Sequence, residues 1–471
     1  MTSSGVGWPF WVIQTLVAAA AIPVLVALYR ALSRRHPLAA KLFALGLILR
    51  GIVGAMLFFT SYMELPFLPG LQAGDGFWTL APDARVYYEH ALSAAGGGSV
   101  PGGAPSPAYI RVLSLWMMLV GMSPAAALLL NICCYASLSW VLVRLLTPAA
   151  APLAVAAFAF SPSLLVFGTQ PLKDVFFATV VAGVCIATLW LFRAPRAGDA
   201  RRWWVAGLVA ALALYLVAGI RTYYALFLWG SLSLVLAGTT FSAWRQGFGR
   251  SVTRAAAVVL LCWLAVVAGS GSYLKVLISQ VRMPGRGEAT SSEPLLSNTV
   301  HAFDRARGGF IRSGGGTNLG GGIAAEGFLG RLEAVGFGTL LLTVPVSPLD
   351  WLGVVEVQGG RGMLAVADLD TLFVDASVIA VIVLLVRNAR QRRLNRPYVA
   401  FILIVSVVTA VSLAYVVTNF GTLFRLRLMA VVPLWMLPLA LIPPFRNHRM
   451  QEGADSRAGQ PPVERGSRPD A

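Results

Sequence analysis

The stretch DVFFATVVAGVCIATLWLFRAPRAGDARRWWVAGLVAALALYLVAGIRTYY, residues 174–224, decides the fold. It holds two apolar runs, near 175–193 and 204–220, each of a length that carries a helix across the hydrocarbon core of a bilayer. Between them, FRAPRAGDARR (192–202) sets four arginines against one aspartate. A short arginine-rich loop between two spans belongs on the cytoplasmic side. The charged residues at the far ends, Lys173, Asp174 and Arg221, then fall together on the outer side.

The same grammar repeats along the chain. With 57% apolar and 12% charged residues and a mean hydropathy of +0.73, the sequence predicts an all-α, polytopic membrane protein, because only helices of this length satisfy their own backbone in lipid. RALSRRHPLAAK (30–41), WRQGFGRSVTR (244–254) and RNARQRRLNR (387–396) join 192–202 as cytoplasmic loops. Working outward from them gives spans near 9–29, 42–62, 124–146, 150–168, 175–193, 204–220, 223–240, 255–272, 369–387, 397–417 and 428–444. That is eleven crossings, with the N-terminus outside and the C-terminus inside.

Two apolar stretches do not fit as crossings. Residues 108–121 are short and read as an outer interfacial helix, with Tyr109 and Trp116 at headgroup depth. Residues 335–353, interrupted by prolines, read as a re-entrant or interfacial hairpin on the outer side. The expected organisation is an extra N-terminal helix and basic loop (1–41), a core with outer loops (42–240), a C-terminal membrane region carrying an outer loop at 273–334 (241–445), and a disordered cytoplasmic tail (446–471).

The net charge of +17 does not indicate nucleic acid, since the arginines lie in short inter-span loops facing an anionic leaflet. The four cysteines lie inside apolar segments and read as small buried residues. Residues 1–29 lack the basic start of a cleavable signal. There is no P-loop, no Gly-x-Ser-x-Gly elbow, no metal-ligand spacing and no internal repeat. An Ala/Arg/Gly-rich chain with few lysines points to a high-GC bacterium, and so to an inner membrane whose outer face is periplasmic or extracellular.

The polar clusters converge on that outer face. APDARVYYEHALSAAGGG (81–98) holds Asp83 and Glu89 beside Tyr87 and Tyr88. An aspartate on a short helix at the membrane surface suits a general base, because the lipid boundary restricts water around it; the plainer reading is a solvated helix start capped by Asp83. SPSLLVFGTQPLKDVFFATV (161–180) places Lys173 and Asp174 between spans, where they either anchor the interface or order substrate and meet a phosphate. AGIRTYYALF puts Arg221, Tyr223 and Tyr224 at a span end, and TNFGTLFRLRLMAV does the same for Arg425 and Arg427. Outer arginines run against the positive-inside bias, so they want an anionic partner: Asp83, Asp174 or a lipid phosphate. The glycine-rich segment 305–327 reads as a flexible outer loop or a lid.

The order of these motifs resembles the GT-C membrane glycosyltransferases, in the branch of the protein mannosyltransferases and lipid A aminoarabinose transferases. The likeness rests on an outer-loop Asp followed by YYEHALSA, the Pro-containing GGAPSPAYIRVLSLWMMLVGMSPAAALLLN, then SPSLLVFGTQPLKD, and covers residues 42–240. It implies a polyprenyl-phosphate sugar donor and a glycan, lipid or protein acceptor. It further implies Asp83 as catalytic acid residue with Glu89 as helper, and Asp174 as the second-loop acid. Lys173, Arg221, Arg425 and Arg427 would hold the donor phosphate, and Tyr87, Tyr88, Tyr223 and Tyr224 would contact substrate. The cofactor it admits is at most a divalent cation on Asp83 and Asp174. The single second-loop Asp, where the family carries a pair, puts metal dependence in doubt.

A phosphate leaving group needs cationic stabilisation and no proton, so one carboxylate base plus arginines suffices for an inverting displacement. Two rivals remain. A polymerase or ligase acting on diphosphate-linked glycans would use the basic loop 273–334. A lipid or glycan transporter would line a route through the membrane with polar groups, whereas the mid-span residues read as Ala, Leu and Val.

Overall fold

The computed structural model describes residues 8–101, 104–193, 200–245, 249–271, 295–313, 327–352, 361–389, 394–418 and 420–441. The described chain is helical almost throughout, and ten of its segments are long and apolar enough to cross a membrane. They match ten of the eleven expected spans. In chain order these are α1 (Trp8–Ser33), α2 (Pro37–Tyr62), α5 (Ala125–Leu145), α8 (Asp174–Arg193), α9 (Ala200–Ile220), α10 (Thr222–Arg245), α11 (Gly249–Ser270), α15 (Arg361–Ala389), α16 (Arg396–Val416) and the last segment Gly421–Leu441. Between them lie α3 (Asp83–Ala95), α4 (Pro107–Val120), α6 (Ala151–Phe160), α7 (Pro162–Phe167), α12 (Leu295–Ser313), α13 (Gly327–Thr343) and α14 (Val346–Trp351). The chain is a multi-pass membrane protein by this architecture.

The remaining expected span, 150–168, is not one helix. It breaks at Ser161 into α6 and α7. Pro162 has no N–H to give the Phe158 carbonyl, and the Ser163 N–H turns away to the Asp370 carboxylate at 2.9 Å. The carbonyls of Phe158 and Ala159 are instead taken by the guanidinium of Arg50, at 2.5 and 2.8 Å. Arg50 lies midway along α2, only 4% exposed, stacked 4.0 Å from the Tyr135 ring centroid. Arg50 is thus an exception to the Ala, Leu and Val of the mid-spans: an arginine is held in the span because a proline break leaves it acceptors.

The last segment runs through α17 (Phe420–Leu426), α18 (Leu428–Trp435) and a 3-10 turn at Leu437–Leu441, so the expected span 428–444 is present but begins earlier, at Gly421, and ends as a 3-10 turn. Residues 442–444 of it, the tail from 446, most of the loop 273–334 and residues 314–326 of the supposed lid lie outside the described residues. Residues 305–313, expected as loop, are helical within α12.

Residues 335–352 fold as the end of α13, a bend at Val344–Pro345, and α14. Asp368 caps α14 by accepting from Val346 N at 2.6 Å and Ser347 N at 3.1 Å. Gly338 lets α13 lie directly on α16, since a Cβ there would run into the Ala414 carbonyl. Of the cysteines, Cys134, Cys185 and Cys262 are buried, while Cys133 faces outward from α5.

The segment between α2 and α3 is built on a small hairpin, β1 (Gln72–Gly74) against β2 (Phe77–Trp78). Asp75 and Gly76, at φ +55° and +85°, supply the two left-handed residues of a tight hairpin turn. Ser61 and Trp78 pin the hairpin to the end of α2 by bonds to the Phe77 and Leu57 carbonyls. The hairpin delivers the chain to α3, which packs on α4, and α4 in turn packs on α9. The buried face of α4 carries Tyr109, Ile110, Leu113 and Met117, while Leu115, Met118 and Leu119 are exposed, the two-faced pattern expected of an interfacial helix.

Candidate functional site

Asp174 opens α8 and is 2% exposed. A carboxylate so buried must be paired. Its Oδ1 accepts from Arg221 Nη2 and its Oδ2 from Arg425 Nη2, each at 3.0 Å. Arg221 is the single residue between α9 and α10, so the turn itself aims the side chain, and its guanidinium lies 5.1 Å from the Phe177 ring centroid. Arg425 comes from α17, lies over Phe167 at 5.3 Å, and reaches with Nη1 to Asp83 Oδ2 at 3.1 Å. Four side chains from four places in the sequence thus form one line, Asp83–Arg425–Asp174–Arg221. It runs from an Asp83 side chain 54% exposed to an Arg221 side chain 6% exposed.

Lys173 flanks this line. Its Nζ donates to the Ser106 hydroxyl and stands 5.2 Å from the Tyr87 ring centroid. Ser106 holds a left-handed φ of +57° immediately before Pro107, and its hydroxyl donates to the Ile220 carbonyl at 3.0 Å, tying α4 to the end of α9. Burial, followed by the positive charge of Arg221, lowers the Lys173 ammonium to about 7, with Asp174 opposing and Arg425 adding to the depression. Burial pushes the phenols of Tyr87 and Tyr88 up to about 12, so neither serves as a base near neutrality.

Behind Lys173 and Arg221 opens a cavity of about 370 Å³. Lys173, Arg111 and Arg221 give it positive charge, Ser106 and Thr222 give hydroxyls, and Pro101, Pro105 and Gly269 give apolar wall. No carboxylate among the described residues lines it. A half-apolar pocket with three cationic side chains fits an anion attached to a hydrocarbon.

The structure brings together Asp83, Asp174, Lys173, Arg221, Arg425 and Tyr87, and Tyr223 lines the cavity. Four expected site residues go elsewhere. Glu89 faces out, with Arg85 Nε 3.8 Å away, because it follows Arg85 by one helical turn. Tyr88 anchors α3 by donating to the Met122 carbonyl at 3.1 Å. Tyr224 is fully buried and donates to the Met429 carbonyl at 2.7 Å. Arg427, two residues beyond Arg425 and so on the opposite side of the helix, turns inward to Asp370 and Thr371. Sequence reasoning missed Ser106 and Arg111, although the Pro-Ser-Pro run at 105–107 marks a forced turn.

The residues do not fit a divalent cation on Asp83 and Asp174. Both oxygens of Asp174 are engaged by guanidinium groups, which repel a second cation. No group of three His, Cys, Asp or Glu side chains of metal-site geometry occurs among the described residues.

No family model, no curated protein and no solved structure matches this chain.

Proposed function

We propose that this chain is a membrane glycosyltransferase that moves a sugar from a polyprenyl-phosphate donor to an acceptor hydroxyl at the outer membrane face, in the manner of the GT-C enzymes its motifs resemble. The observation that carries the reading is a half-exposed carboxylate, Asp83, tied through Arg425 and Asp174 to Arg221, which lines the cationic cavity. Tyr87, against which Lys173 packs, lies four residues after Asp83 and so on the same face of α3.

The donor's phosphate occupies the cavity against Lys173, Arg111 and Arg221, with its chain in the bilayer and its anomeric carbon toward Asp83. The acceptor hydroxyl attacks that carbon from the side opposite the phosphate. A carbon–oxygen bond forms to the acceptor as the bond to the phosphate oxygen breaks. The hydroxyl proton passes to Asp83, and the phosphate leaves with the bonding pair, its new charge met by Lys173 and Arg221. A single displacement inverts the anomeric configuration. Asp174 touches neither reactant; it fixes both arginines. On this reading the membrane is a bacterial inner membrane and the reaction is periplasmic or extracellular.

The experiment is sugar transfer by the purified full-length chain in lipid nanodiscs, with a panel of polyprenyl-phosphate sugars. Asp83→Asn is expected to lose about a hundredfold or more in turnover while still binding donor. Normal transfer by Asp83→Asn, with loss on substituting Arg221 or Arg425, sinks the base assignment.

A further inference from the structure

Below the site lies a second buried charge that the proposed reaction does not use. Asp370, on α15, is fully buried and receives the Arg427 guanidinium, the Ser163 N–H at 2.9 Å and the Ser161 hydroxyl at 3.2 Å. Its neighbour Thr371 accepts from Arg427 Nη1 at 2.7 Å. A buried ion pair in such a setting is a poor stabiliser, because apolar side chains of like volume serve as well or better; what it supplies is a fixed register.

That register is set at two places at once. One is the α6–α7 break at Ser161, where Asp370 takes the first free N–H of α7. The other is the α17–α18 junction at Arg427, where the backbone stays right-handed helical and the Arg427 N–H donates to the Leu423 carbonyl at 2.9 Å. Both lead to Arg425. Arg427 is two residues beyond it in the chain, and α7 ends in Phe167, whose ring lies 5.3 Å from the Arg425 guanidinium and 5.7 Å from Phe424. Asp370 thus holds the backbone that carries Arg425 and the ring on which it lies.

From this we propose that Asp370 is a positioning residue for Arg425, setting the arginine that bridges Asp83 and Asp174. The inference rests on the reading of that cluster as the reacting site. It assigns the buried Asp370–Arg427 pair a role in placing Asp83 and α3, which Asp370 does not touch.

The test is hydrogen–deuterium exchange of the full chain in nanodiscs, comparing Asp370→Asn, Asp370→Glu and Arg425→Gln with the native protein. The expected result is faster exchange in peptides covering 83–95 for Asp370→Asn, of the same size as for Arg425→Gln, with partial return of protection in Asp370→Glu. Exchange that rises only around 161–167, 367–373 and 427–435 overturns the proposal. Where Asp370→Asn does not fold, the pair Asp370→Leu with Arg427→Met removes both charges together, and it too should loosen α3.

Turnover supplies a second readout. Asp370→Asn is expected to lower kcat about tenfold or more, with no further loss when combined with Arg425→Gln, whereas independent effects multiply and refute the coupling. The exchange arm needs no activity. Loosened α3 without sugar transfer in any variant would retain the positioning role and discard the glycosyltransferase reading.

Discussion

On the proposed reading, Lys173 would make donor binding depend on pH in a defined direction. Its ammonium is lowered to about 7, so at pH 6 about nine-tenths of the empty protein carries the charge, at pH 7 about half, and at pH 8 about one-tenth. An anion held by that ammonium binds only the protonated form. Its dissociation constant should therefore rise about tenfold between pH 6 and pH 8, and binding should take up close to one proton per anion at pH 8 but few at pH 6. The donor is the right probe, because a phosphodiester keeps one negative charge over this range. Isothermal titration of a polyprenyl-phosphate sugar into nanodisc-held protein, in two buffers of different ionisation enthalpy, reads both quantities. Lys173→Arg keeps the charge at all these pH values and should abolish the slope and the proton uptake together. Stability gives an independent arm. The folded pKa lies below the unfolded one, so between about pH 7 and 10.5 the unfolded chain binds more protons, and this group's contribution to stability rises with pH across that window. Native protein should gain thermal stability relative to Lys173→Met as pH rises from 7 to 9. A pH-independent dissociation constant, or an equal slope in Lys173→Arg, refutes the reasoning.

Three further outcomes follow from the same packing. Asp174→Asn leaves the buried Arg221 without its carboxylate and Arg425 with Asp83 alone, so it should cost about 3–5 kcal/mol of stability, and Asp174→Leu combined with Arg221→Met should recover much of it in thermal unfolding. Glu89→Gln, on a side chain 65% exposed, should change stability by no more than about 1 kcal/mol and leave sugar transfer within about twofold of native, against the helper role the motif resemblance implies. Gly338→Ala forces α13 off the Ala414 carbonyl of α16 and should destabilise by about 1–3 kcal/mol; a melting temperature equal to the native one would show that the two helices separate freely.

What the sequence made legible follows from how far each signal travels along the chain. Span lengths and arginine loops are local, and ten long apolar helices lie within a few residues of where they were expected. The partners of the outer charges were legible as a set and not as pairs. Arg221 was expected to want Asp83, Asp174 or a phosphate, and finds Asp174, 47 residues away. Arg425 and Arg427 read alike as two arginines at the start of the last span, yet the first reaches 342 residues back to Asp83 and the second turns inward to Asp370. What separates them is helical periodicity: two residues apart on a backbone that stays right-handed helical through Arg427, they stand about 200° apart and face opposite sides. The α6–α7 break did carry a signal, the Ser-Pro-Ser of 161–163, which was overridden by the apolar run around it. Arg50 is the reciprocal case. An arginine in the middle of a span looks costly until a proline in another span frees two carbonyls, so the two anomalies explain each other only in three dimensions. Asp-Gly at 75–76 was the opposite omission, a local hairpin signal available to any reader. Arg50 and Asp370 are therefore best read as tied to one break: Pro162 leaves the Phe158 and Ala159 carbonyls and the Ser163 N–H without helical partners, and these two charges answer it.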